Sequence, residues 1–241
     1  MNRTSIGLSV FAACSAFALV FAYRKYGPGL MESLFDDIYY SCKDEEEEEE
    51  DDGSSLEQDF EDILKILPLE KIRLVVEDFA QHDKQIADTI AFVNEQQRFI
   101  LKELSAIPQV QFYTFVAKEL NLDVDRWLDD FGAFWKSMPK TRGDKSARER
   151  GGLTNMIRQV MRLIPRDELH ELLCKKSRQS KSFRSLLVAL KIRQMYELVE
   201  AIQKSAGLQR HYHWAIEAGL EVIFAVELLG ELYVYLTQKV S

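Results

Sequence analysis

The chain has 241 residues, of which 46% are apolar, and a formal net charge of −8. That length allows one large domain or two small ones. Nine consecutive acids at residues 44–52 account for the charge, and subtracting them leaves +1. The remainder is near neutral, which excludes a surface built for a cationic partner, and no basic stripe marks a nucleic-acid interface.

The first element is the apolar run at residues 6–23, IGLSVFAACSAFALVFAY, with Arg3 before it and Arg24 and Lys25 after it. A basic start, an apolar middle and the small residues of Val20-Phe21-Ala22 fit a secretory signal peptide over residues 1–22. The alternative is a retained membrane anchor, because 18 apolar residues just span a bilayer. Either way the chain is directed to the secretory pathway or a membrane face.

Residues 23–58 are expected to be a disordered acidic tail, since the run at 44–52 repels itself and cannot pack. Of the three cysteines, Cys14 lies in the apolar run, Cys42 in the tail and Cys174 in a helical segment. They form neither a disulfide framework nor a metal spacing, so Cys42 and Cys174 are expected as free thiols, with a Cys42–Cys174 bond the alternative.

From residue 59 the apolar spacing turns helical. Phe60, Ile63, Leu64 and Leu67 share one face. Leu69, Ile72, Val76 and Phe79 share the next. Ile86, Ile90 and Val93 mark a third helix, and Ile100, Leu104 and Ile107 a fourth. Val110, Tyr113 and Val116 mark a fifth. Val124, Trp127, Leu128, Phe131 and Trp135 form the clearest stripe, a sixth. Residues 136–150, with six basic and two acidic side chains, form an exposed linker open to trypsin-like cleavage. The pattern then returns over residues 151–236: Ile157, Val160 and Ile164; Leu169, Leu172 and Leu173; Phe183, Leu187 and Leu190; Met195, Leu198, Val199 and Ile202; Leu208 and Tyr212; Val222, Val226, Leu229 and Tyr233. No segment reads as a strand.

The return is a repeat. Ile63-Leu64-Lys65-Ile66-Leu67-Pro68 matches Val160-Met161-Arg162-Leu163-Ile164-Pro165 in type, 97 residues on. The stretch from Ala117 to Val124 matches that from Ala215 to Val222 at an offset of 98, and Gly132 pairs with Gly230. The matched residues are punctuation. Pro68 and Pro165 open a helix where a missing N–H costs nothing. Glu70 and Asp167 sit in the following first turn, where the helix dipole favours acids. Asn121 and Gly219 suit a left-handed helix end.

An apolar helix closing in Leu-Pro or Ile-Pro, an acid two residues later, then Leu-Asp-Val or Leu-Glu-Val and a late glycine resembles the insect allergen-related repeat. That family includes cockroach group 1 allergens, mosquito G12-type midgut proteins, microvillar proteins and nitrile-specifier proteins. The resemblance spans residues 60–236. It implies an all-α fold in which two tandem six-helix repeats, 59–135 and 151–236, pack into one hollow helical capsule. It implies a secreted, gut-type, non-enzymatic protein that binds fatty acids or other lipids, at the extracellular face of the gut epithelium or anchored through residues 6–23. The alternatives are a nitrile-specifier-like detoxification protein and a helical-repeat interaction protein. The acidic tail, Pro108 without a counterpart at Ala206-Gly207, and the long basic linker depart from the family pattern.

Apolar stripes alone describe a packed core as well as a hollow one. Phe115, Trp127, Phe131 and Trp214 are the candidate ligand-binding residues, as aromatics to line the capsule that the resemblance implies. No catalytic residues are identified, because Gly-X-Ser-X-Gly, P-loop and Gly-X-Gly-X-X-Gly motifs are all missing. His211 and His213 splay about 200° apart on a helix and cannot share a metal, so no metal or cofactor is expected. Cys174 beside Lys175 and Lys176 reads as an ordinary helix cysteine.

Overall fold

The computed structural model describes residues 53–139, 151–191 and 194–221. Among them are ten helices and no strand. In the first copy these are α1 (Leu56–Ile66), α2 (Leu69–His82), α3 (Lys84–Ser105), α4 (Pro108–Glu119) and α5 (Val124–Ser137). In the second they are α6 (Gly152–Leu163), α7 (Arg166–Gln179), α8 (Lys181–Lys191), α9 (Gln194–Lys204) and α10 (Ala206–Glu217). The all-helical expectation holds. The apolar N-terminal run, the acidic run and the last stripe from Val222 lie outside the described residues.

Three boundaries need correction. The tail does not reach residue 58: Leu56 opens α1 and is wholly buried, its N–H bonded to the Leu120 carbonyl at 3.3 Å. A capping box holds that start, Ser55 Oγ accepting from the Gln58 N–H while the Gln58 side chain accepts from the Ser55 N–H. The linker does not begin at 136 either, since α5 runs to Ser137 and Met138 is buried after it. Finally, the third and fourth helices of the first copy are one helix of 22 residues. No proline or glycine interrupts Lys84–Ser105, so the backbone ladder has no reason to break. In the second copy the corresponding stretch is described as α8 and α9, with residues 192–193 between them outside the described residues.

The punctuation falls where the repeat placed it. Pro68 and Pro165 are the N-caps of α2 and α7, and each carbonyl accepts the first helical bond, from Ile72 and Leu169, at 3.0 Å. Asn121 and Gly219 carry positive φ, 61° and 78°. Each closes its helix with the same pair of bonds, Leu122 N–H to the Ala117 carbonyl with Asn121 N–H to Lys118, and Leu220 N–H to Ala215 with Gly219 N–H to Ile216. These are two Schellman ends, 98 residues apart.

The copies do not fold side by side. α1 packs on α7 and α6 packs on α2; α3 packs on α10, while α4 packs on α8 and α9. Under the repeat offset, α1 corresponds to α6, α2 to α7, α3 to α8 and α9, and α4 to α10. Each contact therefore has a counterpart with the copies exchanged. The core follows. Val76, Phe79, Ala80, Ile86, Ile90, Phe134 and Met138 of the first copy enclose Met156 of the second. Leu56 and Ile63 of the first join Met161, Leu169, Phe183 and Leu187 of the second. Ile157 packs against both clusters, so one apolar interior runs through both copies. Helices of 11 to 22 residues hold their shape mainly through such packing.

Candidate functional site

The four candidate aromatics have different surroundings. Trp127 is buried at the start of α5 beside Leu64, its ring centroid 6.1 Å from that of Phe60. Its Nε1–H donates to Glu57 at 3.1 Å, and the Arg126 guanidinium lies over its ring. Phe131 is half-buried and meets Trp135 edge-on at 6.1 Å. Phe115 on α4 is 61% exposed and Trp214 on α10 is 48% exposed. The α5 stripe is only partly inward: Leu128 is 42% exposed, whereas Phe134, which the stripe omits, is 1% exposed.

Polar groups concentrate where the copies exchange helices. At the α1–α7 junction Asp59 and Lys176 are 0% and 6% exposed. Lys176 Nζ lies 2.9 Å from Asp59 Oδ1 and donates to Asp62 Oδ2 at 2.7 Å. Ser54 Oγ donates to Asp59 Oδ1 at 2.8 Å and Ser180 Oγ to Asp59 Oδ2 at 2.6 Å. Ser180, the residue before α8, also accepts the Phe183 N–H at 3.1 Å and so caps that helix. Burial presses the Lys176 pKa down, but the hydrogen bonds it donates to Asp62 and Asp59 outweigh it, and the ammonium is held above the usual lysine value. Hydrogen bonds from Lys176 and then Lys65 hold the Asp62 carboxyl below its ordinary value. A pocket of about 480 Å³ opens here, lined by Gly53, Ser54, Gln58, Glu61, Asp62, Lys65 and Lys176. Its lining is polar, unlike the apolar chamber that the family resemblance implies.

The α2–α6 junction is its counterpart. Asp83 caps α3 by accepting the Ile86 N–H at 3.2 Å and reaches across to accept the Gly152 N–H at 3.1 Å. Gln85 accepts from the Leu153 N–H at 3.2 Å, and Glu221 from the Thr154 N–H and hydroxyl at 3.1 and 2.6 Å. The first N–H groups of α6, which no helical carbonyl can serve, thus all go to distant side chains. Sequence reasoning missed these residues because their partners lie 67 to 69 positions away.

A third region is apolar and loosely covered. α4 contacts α3, α5, α8 and α9, yet none of its residues is fully buried. Val110, Phe112, Tyr113 and Val116 are half-buried. The Tyr113 hydroxyl donates to the Ala189 carbonyl at 3.4 Å, and burial pushes its pKa up to about 12.

Cys174 corrects an expectation. It is disulfide-bonded, not a free thiol; the other two cysteines, Cys14 and Cys42, lie outside the described residues. His170 Nε2 stands 3.7 Å from its sulfur. Among the described residues no three His, Cys, Asp or Glu side chains are grouped to hold a metal, and no helix is long and apolar enough to cross a membrane.

A family model described as "Insect allergen related repeat, nitrile-specifier detoxification" matches residues 55–224. The chain belongs to that family. The match starts at the Ser55 cap and reaches just past the second Schellman end, so it covers the described fold. Protein G12 of Anopheles gambiae is 22% identical over 186 residues, covering 74% of this chain and 87% of that protein.

Proposed function

We propose that the protein is a non-enzymatic lipid carrier whose interior, between the exchanged copies, holds fatty acids or other apolar molecules. The observation that carries this is α4. A helix in contact with four others normally buries its apolar stripe, and this one leaves Val110, Phe112, Tyr113 and Val116 only half-covered. Apolar surface that neighbouring helices do not cover is surface that a hydrocarbon chain can cover with gain. In this proposal the two repeats form a hollow capsule, and Phe131 and Trp127 contribute from α5. Phe115 and Trp214, being exposed, serve better at an entrance or a membrane face than in the lining.

Secretion into the gut lumen, or attachment at its surface through residues 6–23, completes the proposal. It is supported by the apolar run and by the disulfide at Cys174, a bond that persists in oxidising compartments. The test is to purify the chain from a secreting host, extract it with organic solvent and identify what comes out, then measure uptake by the delipidated protein. Recovery without lipid and failure to take up any would overturn the proposal.

A role in nitrile-specifier detoxification is carried by the family's description alone. Failure to divert glucosinolate hydrolysis from isothiocyanate to nitrile beside a myrosinase would remove it.

A further inference from the structure

The α4 region also carries a polar marker. Gln109, in the first turn of α4, is half-buried. Its Nε2 faces Glu197 Oε2 of α9 at 3.5 Å. That fixes the amide, because the reverse orientation would set its oxygen against the carboxylate. Its Oε1 is left buried with no hydrogen-bond partner. A buried acceptor without a donor is costly, and in native folds it calls for an occupant or a reason. Tyr113 lies one turn on, on the same helix face, and its hydroxyl is already committed to Ala189.

The repeat shows that this acceptor is not a requirement of the backbone. At the matched position, 98 residues on, the second copy has Gly207. There the side chain of Glu103 fills the space, its Oε2 2.1 Å from where a Cβ would stand. One interface closes over a glycine; the other keeps an amide oxygen.

We propose that the α4–α9 interface receives the polar end of a neutral apolar molecule carrying an O–H or N–H, with Gln109 Oε1 as its acceptor. This rests on the lipid-carrier proposal and narrows it. An ionised carboxylate, like an ester or ether head, brings only acceptors where a donor is needed. The ligand class is thus long-chain alcohols, protonated fatty acids and N-acyl amides.

The experiment uses the delipidated full chain and displacement of the fluorophore N-phenyl-1-naphthylamine at pH 8. The competitors are dodecanol, methyl dodecanoate and dodecanoate, which share chain length and differ at the head. Dodecanol is expected to bind about tenfold tighter than the other two, the worth of one hydrogen bond that satisfies a buried acceptor. Gln109→Leu is expected to abolish that preference and to leave methyl dodecanoate unchanged or improved. Equal binding of the three by the native chain, or a Gln109→Leu variant that weakens all alike, overturns this proposal and leaves lipid binding standing. Binding of none overturns both.

Discussion

The two junctions at which the copies exchange helices are built on the same backbone plan, but the pair at the matched central positions is ionic in one and apolar in the other. At α1–α7 the buried pair is Asp59 and Lys176, with Ser177 and Ser180 beside it. Ninety-seven residues away in each direction the same positions are Met156, Phe79, Ala80 and Asp83, and the first three pack in one apolar cluster at α2–α6. One site holds an ion pair where the other holds a sulfur and a ring. Burying an ion pair seldom adds stability over a well-packed apolar pair, because desolvation consumes most of the attraction. What the difference supplies is choice of partner. If α1 packed on α2 of its own copy, Asp59 would face Phe79; if α6 packed on α7, Lys176 would face Met156. Both mispairings bury an uncompensated charge, and only the exchanged arrangement avoids it.

Breaking that match gives the largest effect. Lys176→Phe alone leaves Asp59 buried without its cation and is expected to cost about 3–5 kcal/mol in denaturant melts. Adding Asp59→Met rebuilds the chemistry of the other junction and is expected to recover most of that loss. A double variant no more stable than the single one would refute the equivalence of the sites. Gly152→Ala tests the opposite junction. Gly152 has φ of 62°, and an added Cβ would stand 1.5 Å from Gln85 Oε1, so a loss of about 2–3 kcal/mol is expected, from αL strain plus displaced caps.

The two Schellman ends differ in residue and offer a finer comparison. Gly219→Ala is expected to cost about 1 kcal/mol or slightly more in thermal melts, and Asn121→Gly to be neutral or mildly stabilising. The smallest effect is in pH. Asp62 is held below its ordinary carboxyl value of 3.8, so its contribution is present above that pH and fades as pH falls through the lowered value. Lys176 is held above its ordinary 10.5, so its contribution is present below that and fades as pH rises through the raised value. Native and double-variant melting temperatures should therefore change in parallel between these limits and converge or cross outside them.

Much of the fold was legible because the repeat duplicates local punctuation. Pro68, Pro165, Asn121 and Gly219 act through their own φ angles and caps, which neighbouring residues reveal. The α1 start was misplaced because the Ser55 capping box abuts the acidic run and reads as its continuation. The division of Lys84–Ser105 into two helices failed because two apolar faces on one uninterrupted helix look like two helices. The ionic junction was not legible at all. Asp59 and Lys176 are 117 residues apart, and each alone resembles an ordinary surface charge. Leu128 and Phe134 show the same limit on α5: periodicity names a face, but the packing partner decides which edge of it turns inward.

The exchange of helices also bears on descent. A chain consisting of one copy has no partner within itself for the faces that α1 and α2 present, and it would bury them against a second molecule about a two-fold axis. Such a dimer is bound to have two identical junctions, because one gene writes both. Joining the copies into a single chain lifts that obligation. Asp59 with Lys176 at one end, and Phe79 with Met156 at the other, is a pair of answers that a symmetric dimer of one copy cannot give.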